Sequence, residues 1–226
     1  RRNFIPYFQP IVDNATGEPV KYECLARMVE GSLIIRPALF IEAAERAGLL
    51  PYLTRSIIQR SFHAFREIPY EFGVNISESD LRAGFLVPFL HKLFKRYPVP
   101  PERLIIELSE QIQSEGDPND IRQIQELKSM GVKIAFDDFG TGYSNFCRLL
   151  EFSPDFIKID GSFIRYLDKN LKSYKISSAI ARFGRSIDTE VIAEFVHSRE
   201  IYEKVSELDI PFSQGYYFGK PGRSVR

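Results

Sequence analysis

The stretch VKIAFDDFGTGYSN (Val132–Asn145) starts as a short apolar strand and ends in two adjacent carboxylates, Asp137 and Asp138, ahead of a Gly-Thr-Gly loop. Its first half has the composition of a strand buried in a parallel sheet. Two unpaired carboxylates at the edge of a core are costly unless something compensates them. Upstream, Ile121, Ile124, Leu127 and Met130 recur at helical spacing and Gly131 ends the run, so a helix leads into this strand. The same alternation covers the chain. Strands are expected at YFQPIV, VKYECLARM, FGVNIS, LIIELS, VKIAFD, FIKID, VIAE and FSQGYY. Helices are expected at RPALFIEAAERAGLL, LTRSIIQRSFHAFREI, FLVPFLHKLFKRY, DIRQIQELKSMG, KISSAIARFGRS and SREIYEKVSEL. Eight strands alternating with helices predict an α/β fold with a mainly parallel sheet, a (β/α)8 TIM-like barrel, with an open doubly wound sheet as the alternative. No linker, low-complexity tract or close repeat interrupts residues 1–226, so a single domain is expected.

Most of these strands carry a polar residue near the carboxyl end: Glu23, Asn75, Glu107, Asp137 with Asp138, Lys158, Glu194 and Gln214. In barrels, and at the switch point of open sheets, those ends converge on the active site. One such residue is ordinarily a cap or a satisfied buried group. Several on neighbouring strands would each need a separate burial partner. The set offers carboxylates, an amide oxygen and one ammonium, with neither Cys nor His, which suits Mg²⁺ or Mn²⁺ better than zinc or copper. Adjacent aspartates let one carboxylate bridge two ions while the next binds one, the clamp used in phosphate-ester hydrolysis. Taken alone, DDFG reads equally as a turn before glycine.

Lys plus Arg equals Asp plus Glu at 30 each, so the formal net charge is zero, which argues against a polymeric nucleic acid as partner but not against a small phosphorylated ligand. Two cysteines, Cys24 and Cys147, form no metal-type spacing and suit a reducing compartment. No apolar run approaches a membrane span and the amino terminus has no signal-peptide core, so a cytoplasmic location is expected, with tethering possible through a longer protein. The ends, Arg-Arg and GRSVR, are expected to be cuts within such a longer chain.

Read in order, YECLAR, RPALFIEAAERAGLL, VNIS, IIELSE, FDDFGTGYSN, FIKIDGSFI, VIAEFV and SQGYYFGKP resemble the segments of the EAL domain family, bacterial phosphodiesterases of cyclic di-GMP, with ECL in place of EAL. The resemblance implies a barrel with one antiparallel strand and metal-dependent hydrolysis of cyclic di-GMP to linear pGpG. It implies that Glu23, Asn75, Glu107 and Asp137 hold one ion, and that Asp137, Asp138 and Glu194 hold a second. Lys158 would orient or activate the attacking water, with Gln214 beside it. Arg27 would contact phosphate, and Gln9, Pro10 and Leu25 would line the substrate site. Glu110 would fix the DDFGTG loop, a segment tied in the family to dimerisation, so a homodimer is expected. Flanking sensor or GGDEF-type domains are expected in a full-length protein.

Three departures stand out. Strand alternation puts Glu23, Leu25 and Arg27 on one face and Cys24 on the other, so Cys24 is expected to pack behind the sheet. Phe195 and His197 stand in AEFVH where many members have glycine and glutamate; Phe195 is expected to fill space at the strand end, and His197 removes a carboxylate near the site. His63 and His91 fall in helical stretches and are not expected to be ligands, GYYFG is expected to pack within a strand, and Lys158 has a structural ion-pair role as its alternative reading. The rival functions are a catalytically silent cyclic di-GMP receptor, which ordinarily loses ligands that this chain keeps, and a divalent-metal hydrolase of another phosphate ester.

Overall fold

The structure is a computed structural model that describes residues 3–109, 117–140, 149 and 151–225. Its strands are β1 (Asn3–Asp13), β2 (Pro19–Glu30), β3 (Leu33–Ile35), β4 (Glu71–Ile76), β5 (Leu104–Ser109), β6 (Lys133–Phe139), β7 (Phe156–Ile159), β8 (Glu190–Ala193) and β9 (Phe212–Gln214). The described helices are α1 (Ile41–Arg46), α2 (Leu50–Phe65), α3 (Glu78–Arg82), α4 (Leu86–Arg96), α5 (Pro118–Ser129), α6 (Gly161–Ile164), α7 (Leu171–Ser186) and α8 (Arg199–Glu207). The strands run in the order β1-β9-β8-β7-β6-β5-β4-β2-β3, and a β1–β2 pairing closes eight of them into a barrel with β3 outside as a hairpin partner of β2. β1 is antiparallel to both of its neighbours, and the remaining barrel pairs are parallel. Closure excludes the open doubly wound alternative.

Two apolar layers hold this barrel. The larger lies between strands and helices, where Ile58, Phe62 and Phe65 of α2 meet Phe72, and Ile124, Leu127, Ile180, Ala181, Ile201 and Val205 cover the other strands. Cys24 is buried in this outer layer, and burial pushes its thiol well above the usual range, so it behaves as a small apolar residue. The smaller layer is separate and consists of Ile11, Ile105, Ala135, Phe156, Ile192 and Phe212. These residues plug the barrel interior.

Register then fixes the site. On the parallel strands the residue two positions after the plug points the same way, one step nearer the carboxyl end: Ile105 to Glu107, Ala135 to Asp137, Phe156 to Lys158, Ile192 to Glu194, Phe212 to Gln214. On antiparallel β1 the step runs backwards, from Ile11 to Gln9.

Some local expectations change. The stretch expected to be one helix from Arg36 to Leu50 breaks into a 3₁₀ turn at Pro37–Leu39, α1, and a new start at Leu50, because Pro37 opens the turn and Gly48 takes a φ of +66°. The strand expected through FSQGYY stops at Gln214. A Cβ at Gly215 would overlap the Val196 backbone, and the chain turns there to accept and donate bonds with Val196. No helix among the described residues is long and apolar enough to cross a membrane.

Gly73 in β4 leaves the space that the Glu107 carboxylate occupies, since a Cβ there would overlap Oε1. Gly73→Ala is therefore expected to lower stability by about 1–3 kcal/mol, measured as a shift in the urea midpoint. An unchanged midpoint would show that the carboxylate moves aside freely.

Candidate metal centre

Above the apolar plug the barrel is charged. The ammonium of Lys158, 1 % exposed, lies 2.7 Å from Glu107 Oε2, 3.0 Å from Asp137 Oδ1, 3.0 Å from Glu194 Oε1 and 3.5 Å from Glu23 Oε2. Asn75, exposed, donates from Nδ2 to Glu23 Oε1 at 2.8 Å, and Gln214 donates from Nε2 to Glu23 Oε2 at 2.6 Å and to Gln9 Oε1 at 3.3 Å. Gln9 in turn donates to the Gly219 carbonyl. Glu23 is thus gripped from three strands.

Strand alternation alone would send Asp137 and Asp138 to opposite faces. The chain avoids this with a bulge. The β6–β7 register shifts between Phe136 and Phe139, Asp138 takes a φ of +54°, and its backbone N–H donates to Asp137 Oδ1 at 3.0 Å. Both carboxylates then face the barrel mouth. Two triplets result, Glu23–Glu107–Asp137 and Asp137–Asp138–Glu194, each with ligand oxygens within 4.8 Å of one another, and Asp137 belongs to both.

One buried ammonium does not balance five carboxylates. Burial, against the opposing charge of Lys158, pushes Glu107 up to about 8, and burial with the neighbouring Asp137 pushes Asp138 up to about 6. Glu194 is raised well above the usual carboxylate range by burial. At Glu23 burial works in the same direction, but Lys158 and the bonds from Gln214 and Asn75 outweigh it and hold the carboxyl low. Burial also disfavours the charged Lys158, yet its four carboxylates win and keep it protonated well above 10.5. The donor set, rich in hard oxygens and short of positive charge, fits divalent cations, and the buried Gln214 Oε1, without a hydrogen-bond partner among the described residues, adds another oxygen.

A cavity of about 640 Å³ opens over these groups, within the roughly 300–1,000 Å³ of small-molecule sites. Gln9, Glu23, Leu25, Arg27, Asp137, Asp138, Glu194 and Gln214 line it, while Glu107 and Lys158 lie behind that surface. Arg27 has its guanidinium 5.3 Å from the Tyr7 ring centroid. Pro10 is not among the lining residues and packs against Gly219. Glu110 lies outside the described residues. Arg165 and Tyr216, which the sequence did not point to, also line the cavity, as do Phe195 and His197, which were expected at the strand end and near the site. Phe195 packs its ring over Gly161 just past the end of β8 and leaves half of its surface exposed in the cavity. It is 51 % exposed at a φ of +54°, a conformation that costs a non-glycine residue about 1–3 kcal/mol. The GYYFG tyrosines lie beyond β9 in a turn, with Tyr217 stacked on Tyr202 at 5.8 Å. Arg165 gave no signal in the sequence, being separated from the other wall residues in the chain.

The pH dependence of the metal-free protein follows from Glu107 and Asp138. Their native pKa values exceed the ordinary 4.5 and 3.8, so across that window the folded state holds protons that the unfolded state has released. Stability is then greatest on the acid side and declines as pH rises from about 5 to about 8, while Glu23, shifted the other way, acts below this window. Chelator-treated protein is expected to show a falling thermal midpoint over that range, and Mn²⁺ is expected to flatten the profile. A midpoint that rises from pH 5 to 8 in chelator would contradict this charge balance.

With this geometry established, the chain matches the EAL domain family over residues 1–221. It is 30% identical over 222 residues to the cyclic di-GMP phosphodiesterase PdeB of Shewanella oneidensis, covering 95% of this chain and 26% of that protein. It is 33% identical over 208 residues to the cyclic di-GMP phosphodiesterase PdeF of Escherichia coli, covering 89% of this chain and 28% of that protein. Among solved structures it superposes on the PaMucR phosphodiesterase in complex with c-di-GMP with a TM-score of 0.90 at 27% identity, covering 97% of this chain and 92% of that one. The chain spans only about a quarter of the two full-length relatives. The closed barrel, the acidic cluster at its mouth and the match along nearly the whole sequence together make this chain a member of the EAL domain family.

Proposed function

We propose that this chain hydrolyses cyclic di-GMP to linear pGpG with two divalent cations, Mg²⁺ or Mn²⁺. The observation that carries the reading is the pair of carboxylate triplets sharing Asp137 beneath a nucleotide-sized cavity. The names of the relatives, which are cyclic di-GMP phosphodiesterases, supply the substrate. Glu23, Asn75, Glu107 and Asp137 would hold one ion, and Asp137, Asp138 and Glu194 the other. When bound, such ions acidify water and offset charge on a phosphodiester.

The chain's own groups have distinct tasks in this reading. Gln214 and Asn75 fix the Glu23 carboxylate by donating to its two oxygens. Lys158, held protonated by its neighbours, serves as a hydrogen-bond donor that orients the attacking water and is not the base. The ion-pair role and the catalytic role of Lys158 therefore coincide. Arg27, in the cavity wall, would contact a phosphate, and Gln9 and Leu25 would border a guanine. Positioning of this kind supplies much of the rate in phosphodiester cleavage.

Incubation of the protein with cyclic di-GMP and Mn²⁺, followed by chromatography of the products, tests the reading. Linear pGpG is expected, and chelator should abolish it. Asp137→Asn keeps the shape of the shared residue but removes a surplus charge, so it is expected to abolish cleavage while raising the thermal midpoint of the metal-free protein at pH 8. Binding without cleavage would make the chain a receptor, and neither binding nor cleavage would exclude cyclic di-GMP.

A further inference from the structure

Phe195 is a large apolar side chain placed where core packing gains little from it. Its chain neighbours Glu194 and Val196 are buried, yet half of Phe195 is exposed, and it lines the cavity that contains the carboxylates. Its left-handed backbone is fixed from both sides. Glu194 donates to the Ile159 carbonyl, Val196 donates to Gln214 and accepts from Tyr217, and His197 Nδ1 lies 3.2 Å from the Phe195 carbonyl. The ring has a fixed support, because it rests on Gly161 at the start of α6 so closely that a Cβ there would overlap it. Arg165, at the end of the same short helix, sets its guanidinium 5.3 Å from the ring centroid and also lines the cavity. Strain retained at a solvent-facing ring, with bonds over-determining the backbone, marks a preorganised contact surface.

We propose that Phe195, backed by Gly161 and flanked by Arg165, is a stacking platform for one purine base of the bound dinucleotide. The proposal rests on the reading of cyclic di-GMP as the ligand. A flat apolar ring offers any base a π-face, and the adjacent cation strengthens the contact. Phe195 lines the same cavity as Asp137, Asp138 and Glu194, so a base on the ring and a phosphate above the carboxylates would share one space.

The test compares the parent with Phe195→Leu, Phe195→Gly and Phe195→Trp in Mn²⁺, reading KM and kcat for cyclic di-GMP, or Kd where the parent binds without cleaving. Leucine keeps apolar bulk but has no π-face, and glycine relieves the backbone strain, so both variants are expected to fold. Each is expected to raise KM or Kd roughly tenfold with kcat within about twofold of the parent, and tryptophan is expected to stay within about twofold throughout. The Mn²⁺-induced rise in thermal midpoint should be the same in all four proteins. Leucine matching the parent, or tryptophan no better than leucine, would overturn the platform and leave the function standing. A parent that neither binds nor cleaves the dinucleotide would remove both.

Discussion

The ammonium of Lys158, sealed inside a closed barrel and within 3.5 Å of four carboxylates, sets the terms for everything above it. Removing that charge would leave a group of buried carboxylates with nothing to oppose them, an arrangement that a folded chain does not tolerate at neutral pH. Keeping it does not complete the balance either, because Asp138 adds a fifth carboxylate; Glu107 responds by holding its proton up to about pH 8 and Asp138 up to about 6. The cluster is stable enough to form and too negative to be satisfied. A site with that property could hold divalent cations.

The apolar plug makes this possible. Ile105, Ala135, Phe156, Ile192 and Phe212 close the barrel from below, so each polar residue two steps further along emerges into one shared space. At the opposite end Lys21 lies over Phe212 at 3.9 Å and pairs with Glu71 at 3.4 Å, which caps the plug from the other side. The antiparallel course of β1 serves the same end. It lets Gln9 join residues from parallel strands although it precedes its plug residue in sequence.

Floor and wall divide the work between them. The floor comes from regular strands whose register leaves little freedom, and its residues define what chemistry the site can support. The wall comes from the segments that follow β7, β8 and β9, where Arg165, Phe195 and Tyr216 stand in irregular or short helical backbone. Such segments can vary in sequence without disturbing the barrel, so the wall can change while the carboxylates stay in place.

The sequence by itself determined the barrel's strand content and most of the floor, because period-two alternation and polar residues at strand ends are local properties that survive in one dimension. Glu23, Glu107, Asp137, Lys158 and Glu194 could be named from it, and so could Cys24 as a residue behind the sheet. The partners of Lys158 could not, since they come from four strands separated by up to 171 positions, from Glu23 to Glu194, and only closure brings them together. Nor did alternation reveal that Asp137 and Asp138 face the same way, which depends on a bulge and a left-handed residue at Asp138. The wall was the least legible part. Phe195 reads as filler until Gly161, 34 positions earlier, is seen to support its ring at the cavity's edge, and contacts of that range are decided by tertiary structure alone.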